Sequence, residues 1–285
     1  MQDKDIVISF LNMERRSNAE LTFTSLYMWR KALNTSFCPV DDCIILKMAV
    51  PWRANAFRLP FGRGDKTQAA RNLAEEFGEV SFFGVTSDML DDLKQSFGAN
   101  ITFKRTLDYD DYVYNVGDLI NLPGKKYHSK KNHVNFFKRT FNYRYEPLCA
   151  ENADVCTAEY EKWFANTPNN DDIFLQHEKD SMTKILANWG FFGLCGGTLW
   201  ADGELCAFTI SERLNEDTVV IHVEKARHDV RGAFAAINQM HLLNQWSDMR
   251  YVNREDDFGI EGLRRAKQSY HPVFKIEKHC AVLTR

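Results

Sequence analysis

The chain has 285 residues, 44% of them hydrophobic and 13% aromatic, with a formal net charge of -3. That length is close to two domains of roughly 150 residues each, and the composition excludes intrinsic disorder, collagen-like repeats and a small disulfide scaffold. The average charge conceals a segregation: residues 124–144 carry seven Lys or Arg and no acid, while 145–223 carry four bases against 14 acids. A run of one sign sets up a local field that attracts charged ligands, unless acidic and basic faces simply meet each other in the fold.

Taken in chain order, apolar spacing at Leu21, Leu26, Met28 and Leu33 predicts a helix over 18–33. A strand follows over 43–50, a helix over 67–77, a strand over 80–85 and a helix over 87–97 with Ser87 as N-cap. Strands are read over 101–104 and 111–116, and a helix over 129–138. Periodicity predicts helices over 156–165 and 174–189. The strongest local signal is Asp202-Gly203 between apolar runs at 194–200 and 204–212. It reads as a two-residue hairpin turn with positive φ at both central positions. A third strand over 218–224 leads through a basic loop, 225–231, into a helix over 232–246, with Asn238, Gln239 and Asn244 on its polar side. A short strand at Tyr251-Val252, a helix over 259–269 and a last strand from Val273, opened by Pro272, complete the chain.

The N-terminal Met1-Gln2-Asp3-Lys4-Asp5 precedes an apolar run too short for a signal peptide, and the uncharged stretch 185–201 is broken by four glycines, so no membrane span is expected. The seven cysteines form no CxxC pair, which reads as reduced thiols in a cytoplasmic protein. No Cys/His cluster has zinc-ligand spacing. His222 and Glu224 form an H-x-E without the PCxxC that zinc deaminases require.

In the second half the order helix, helix, hairpin, strand, loop, helix, strand, helix, strand resembles the GNAT acyltransferase fold. The first half shows a weaker version. The expected fold class is therefore α/β with two tandem GNAT-like domains on mixed sheets, at 1–123 and 124–285, and the basic strip 124–144 at their junction. In GNAT folds the donor lies where the fourth strand splays from the fifth, with its phosphates on the N–H groups of the following helix. Here that loop is Arg227-His228-Asp229-Val230-Arg231-Gly232-Ala233, with one glycine of the usual Q/R-x-x-G-x-G/A, a departure that argues against ordinary coenzyme A binding.

Two stretches carry the chemistry. In the basic strip, Lys125, Lys126, His128, Lys130, Lys131, Asn132, Asn135 and Arg139 are interleaved with Tyr127, Phe136 and Phe137. Cations neutralise phosphates and rings stack on bases or pack in a core; a solvated helix face is the plainer alternative. In the second stretch a strand end, Tyr251-Val252-Asn253, meets Arg254, Glu255, Asp256 and Asp257, then a helix with Arg264, Lys267 and Tyr270 at three-residue spacing. Asp256 or Asp257 could cap that helix, but two cations and a phenol on one face suit an anionic ligand or a leaving group.

These stretches, with His222-Val223-Glu224-Lys225-Ala226, resemble the catalytic C-terminal domain of phosphatidylglycerol lysyltransferases in a stand-alone soluble form, related to Fem-type peptidoglycan aminoacyltransferases. The resemblance is densest over 118–139 and 194–272, and no counterpart of the membrane-spanning flippase part of those enzymes is expected. It implies transfer of an aminoacyl group from aminoacyl-tRNA, with no permanently bound cofactor, to a phospholipid or another acceptor, at a cytoplasmic or membrane-peripheral location. Such a transfer needs an activated acceptor, a stabilised oxyanion and a protonated leaving group. Glu224 or Asp256 is expected to serve the first. Arg254, Arg264 or Lys267 is expected to serve the second and Tyr270 the third. Lys125, Lys126, Lys130, Lys131 and Arg139 would hold phosphates of tRNA or of an anionic phospholipid headgroup, with His128, Asn132, Asn135, Lys225, Arg231 and Gly232 completing the substrate contacts. Glu224 could equally be the buried partner of a nearby cation. The competing readings are an acyl-CoA-dependent N-acyltransferase and a non-catalytic protein that binds RNA or anionic lipid.

Overall fold

The computed structural model describes residues 3–13, 17–50, 53–167 and 170–285. Met1 and Gln2 of the N-terminal segment lie outside the described residues. The chain runs through α1 (Lys4–Leu11), α2 (Phe23–Trp29), β1 (Ser36–Val40), β2 (Cys43–Val50), β3 (Arg53–Arg58), β4 (Phe61–Gly62), α3 (Lys66–Phe77), β5 (Glu79–Thr86), α4 (Leu90–Phe97) and β6 (Ile101–Arg105). It continues through β7 (Asp111–Asn115), α5 (Val116–Asn121), α6 (His128–Thr140), β8 (Tyr143–Pro147), α7 (Ala150–Ala165), α8 (Ile173–Ala187) and α9 (Trp189–Phe192). The last elements are β9 (Cys195–Ala201), β10 (Glu204–Arg213), β11 (Thr218–Ala226), α10 (Ala233–Gln245), β12 (Tyr251–Asn253), α11 (Glu261–Gln268), β13 (Phe274–Ile276) and β14 (Lys278–Thr284).

Two compact units result, each with a seven-stranded mixed sheet, so the expected α/β class with two mixed-sheet units is what the chain adopts. The units interleave along the chain. The first takes residues 1–111, 256–261 and 275–285; the second takes 112–255 and 262–274. Residues 112–123, 256–261 and 275–285 thus fall on the other side of the division from a boundary at 123/124. The reason is strand pairing between distant segments: β7 pairs with β12, and β14 inserts between β5 and β6.

In the first unit the strand order is β1-β2-β3-β5-β14-β6, with β4 beside β2. α3 forms because Asp65 accepts a hydrogen bond from the Gln68 N–H at 2.9 Å, and it ends at Gly78, whose φ of 77° suits glycine. Its Ala70, Leu73 and Ala74 pack on Phe57, Val80 and Phe82. Two expectations change here. The helix expected over 18–33 reduces to a 3₁₀ turn and α2, because Thr22 caps at Ser25 N and Asn18 is drawn away to the Gly84 carbonyl. Ser87 caps no helix: its hydroxyl donates to Glu277, 3.1 Å away, and α4 starts three residues later.

At the centre of this unit Lys278 is fully buried. Its ammonium donates to Asp111 Oδ1 at 2.6 Å and reaches Glu20 Oε1 at 3.2 Å. Glu20 also pairs with Arg58. Burial would push the Glu20 carboxyl up, but Arg58 and Lys278 outweigh it and hold it below the ordinary glutamate range.

The second unit has strand order β13-β7-β12-β11-β10-β9-β8. The β9–β10 hairpin turns on Asp202 and Gly203 with φ of 52° and 91°, both positive as expected. Phe208 and Lys225 are directly opposite each other on neighbouring strands and face α7 and α8, where Tyr160 and Trp163 pack on Phe208. Ala207 and Ala226 face the other way, onto α10 and Phe137 of α6. α10 is apolar on almost every side because the sheet covers one flank and α5 and α6 the other.

Replacing Lys278 with Met should destabilise the protein by about 3–5 kcal/mol, since it leaves buried carboxylates without their cation. Urea unfolding of the variant and the wild type reads this directly. A loss below 1 kcal/mol would show that the ion cluster is dispensable.

Candidate active site

The geometry of the site starts from a short strand pairing. β11 and β12 run parallel, but they are paired only at Thr218–Tyr251, Val219–Val252 and Val220–Asn253. Beyond these residues the strands splay. β11 also carries a bulge opposite β10: Ile210 pairs with Val223 and Ser211 with Ile221, so His222 is the extra residue. Ile221 and Glu224 are three apart and would lie on opposite faces of a regular strand. The bulge cancels one step, so Ile221 packs in the core with Leu242 of α10 while Glu224 accepts from Asn238 of the same helix at 2.9 Å.

Arg254 follows β12 where it leaves β11. Its Nη2 donates to Glu224 Oε1 at 2.8 Å, and both side chains are nearly buried, at 12% and 11% exposure. Burial alone would lower the guanidinium pKa; Glu224 outweighs it and the net direction is up. Nη1 of Arg254 is buried and meets no hydrogen-bond acceptor among the described residues. The Glu224 of the sequence reading is thus an ion-pair partner, anchoring Arg254 across the gap.

Three further groups gather around Arg254. α11 ends at Gln268, so Tyr270 does not continue a helix face with Arg264 and Lys267 as expected. The chain turns inward there, and the Tyr270 ring lies 4.8 Å from the guanidinium carbon, edge-on to Tyr114. Burial raises the Tyr270 phenol pKa to about 12. Lys267 Nζ donates to the Arg254 carbonyl at 2.6 Å, and Tyr114 Oη donates to the Lys267 carbonyl at 2.8 Å. From α6, Lys130 brings its ammonium to 4.0 Å from the Tyr270 ring centroid. Desolvation, with Arg254 adding to it, lowers the Lys130 pKa to about 8.

α6 divides the basic strip. Lys130, Val134 and Phe137 recur at helical spacing on its inner face, and the latter two are buried. Lys125, Lys126, His128, Lys131, Asn132, Asn135 and Arg139 are exposed. None of the five cations Lys125, Lys126, Lys130, Lys131 and Arg139 forms an ion pair among the described residues. The acidic block finds its partners elsewhere. Lys225 pairs with Glu178 on the α7–α8 face, away from Glu224, and Arg227 is held by Asp229 and Glu204. Arg231 is exposed over the Phe136 ring, and Gly232 is the N-cap residue immediately before α10. Arg264 is half-exposed on α11. Asp256 belongs to the first unit, where it accepts from Phe258 N in a local turn. His222 points to neither Glu224 nor a metal-type cluster: it is buried between Glu212, at 2.9 Å, and Glu255, at 2.7 Å. Tyr114 lies in no motif that the sequence offers, and Glu255, though within the second stretch, carried no expected role there.

Two consequences can be measured. Burial opposes a charged His222, but hydrogen bonds from its ring to Glu212 and Glu255 outweigh it and raise its pKa to about 9. The unfolded value is near 6.5. This stabilisation is therefore complete below about pH 6.5 and lost as the pH rises through about 9. Tm should fall over that window, and His222→Gln should flatten the fall. Gly232 has a φ of 92°, and a Cβ there would sit 2.4 Å from the His133 carbonyl oxygen of α6. Gly232→Ala should cost about 1–3 kcal/mol or more in chemical denaturation.

Residues 12–282 match the family described as phosphatidylglycerol lysyltransferase, C-terminal. A conserved protein of unknown function from Bacteroides thetaiotaomicron is 34% identical, with a TM-score of 0.90 over 99% of this chain and 97% of that one. L-PGS from Bacillus licheniformis shares the fold at 13% identity and a TM-score of 0.68, over 99% of this chain and 92% of its own. FemX shares it at 9% identity and a TM-score of 0.53, over 98% and 95%. The chain belongs to the phosphatidylglycerol lysyltransferase C-terminal domain family, a group of acyltransferases.

Proposed function

We propose that the second unit transfers an aminoacyl group from aminoacyl-tRNA to a phospholipid or another acceptor. The observation that carries this reading is Arg254. Glu224 and Asn238 lock its carboxylate anchor at the splay, while a buried N–H edge of the guanidinium is left without an acceptor. A fixed cationic donor in a desolvated place is what an ester carbonyl needs as its oxygen becomes an oxyanion. Lys267 holds the Arg254 backbone in position. Tyr270, whose phenol stays protonated at neutral pH, supplies a proton to the leaving ribose oxygen.

The exposed side of α6 supports the donor. Lys131 and Arg139, with His128, Asn132 and Asn135, present unpaired cations and amides along one helix, suited to tRNA phosphates. The same chemistry suits an anionic phospholipid headgroup, and no helix among the described residues is long and apolar enough to cross a membrane. A coenzyme A donor is disfavoured, because Arg227 in the loop before α10 is already neutralised by Asp229 and Glu204, and Asp229 would repel a pyrophosphate.

Incubation with a panel of radiolabelled aminoacyl-tRNAs should show discharge and a new labelled product. Glu224→Gln and Lys267→Ala should each lower kcat at least ~10-fold. The double variant Lys131→Glu/Arg139→Glu should weaken tRNA binding and flatten its salt dependence. Thermal stabilisation by acetyl-CoA without any discharge of tRNA would contradict the reading.

A further inference from the structure

We propose that the Lys130 amine is the proton acceptor for the attacking group of the acceptor substrate, an alcohol or an amine. The inference rests on the aminoacyl-transfer reading above and gives Lys130 a role distinct from phosphate binding.

Position comes first. α6 turns Lys130 to its inner face, unlike Lys131 beside it, and sets Nζ 4.0 Å from the ring of the proposed leaving-group acid, Tyr270. Lys130 makes no hydrogen bond and no ion pair among the described residues, so its lone pair is not committed when the amine is neutral. A lysine whose task was charge alone would gain by reaching a carboxylate. Glu224, the carboxylate that acts on Lys130, is taken by Arg254 and Asn238.

Elimination comes second. Lys130 feels Glu224 from β11 and Arg254 after β12, meets the Tyr270 ring beyond α11, and acts on His133 of α6, which Arg231 also reaches; Tyr114 from β7 and Lys267 from α11 stand on Arg254 behind them. Arg254 never deprotonates, and the two phenols are raised by burial. Lys267 Nζ is engaged with the Arg254 carbonyl, to which it donates at 2.6 Å. His133 is pushed down by burial, by Lys130 and by Arg231, and serves as a neutral neighbour. Lys130, held near 8 by desolvation and Arg254, is the group here that exchanges a proton close to physiological pH.

The step balances. The acceptor oxygen or nitrogen bonds to the ester carbonyl carbon while its proton moves to the Lys130 amine. The oxyanion forms against Arg254 and collapses, breaking the bond to the ribose oxygen, which takes the Tyr270 proton. The Lys130 ammonium then returns a proton to the Tyr270 phenolate. No oxidant, reductant or third substrate is consumed.

Lys130→Arg keeps the charge and removes the base. It should bind tRNA within twofold of wild type yet lower kcat by about 100-fold, and abolish the rise of kcat between pH 7 and 9. In Lys130→Ala, added ethylamine should restore part of kcat, and Tm should confirm that both variants fold. Discharge by the wild type with Lys130→Arg retaining kcat within threefold and the same pH profile would overturn this inference alone. A loss confined to tRNA binding would also overturn it, making Lys130 a phosphate contact. Failure of the wild type to discharge any aminoacyl-tRNA would overturn the underlying reading as well.

Discussion

The second unit depends on β11 and β12 pairing over three residues and no more. Past Val220 and Asn253 the two strands would expose unpaired backbone and a gap in the sheet. Glu224 and Arg254 close that gap with an ion pair. Taking two charges out of water costs several kcal/mol per ion, so such a pair persists only with good geometry and further hydrogen bonds. Asn238 on the second carboxylate oxygen and Lys267 on the Arg254 carbonyl provide them. One guanidinium edge is left over, and that residue of unmet hydrogen bonding is where the chemistry of the site concentrates.

Charge is sorted by the fold in a way that its position along the chain conceals. Lys225, Arg227 and His222 satisfy Glu178, Glu204 and Glu212 from the acidic block. The acidic and basic segments therefore do meet, but through the bases that follow residue 221. The strip at 124–144 is largely left out of this exchange: Lys130 takes an inner position on α6, Lys138 donates to Gln239 of α10, and Lys131 and Arg139 stay on the exposed side. The first unit solves a similar problem by enclosure: Lys278 arrives from the far end of the chain to neutralise Asp111 and Glu20.

Much of the second unit was legible from residues alone. Asp202-Gly203 declared its hairpin because two successive positive φ values are tolerated by few residue pairs. The order of helices and strands after residue 150 pointed to the splayed sheet, and Glu224, Arg254, Lys267, Tyr270 and Lys130 all lie together in the site. The roles were less legible. Glu224 read equally as a candidate base and as the partner of a cation, because the chain gives no sign that Arg254 would reach it from the next strand. Arg264, Lys267 and Tyr270 looked like one helical face because spacing cannot reveal that α11 stops at Gln268. Ser87 looked like a cap until its hydroxyl found Glu277, 190 residues away in the chain.

Local sequence sufficed for turn types, for the amphipathic runs of the helices and strands, and for the segregation of charge, since each depends on neighbours within a few residues. The tertiary structure alone decided that β14 closes the first sheet, that β7 joins the second, which lysine of the strip turns inward, and which acid anchors Arg254. Those outcomes depend on backbone pairing and burial summed over contacts distant along the chain. A residue's own neighbours carry no information about the partner that will desolvate it.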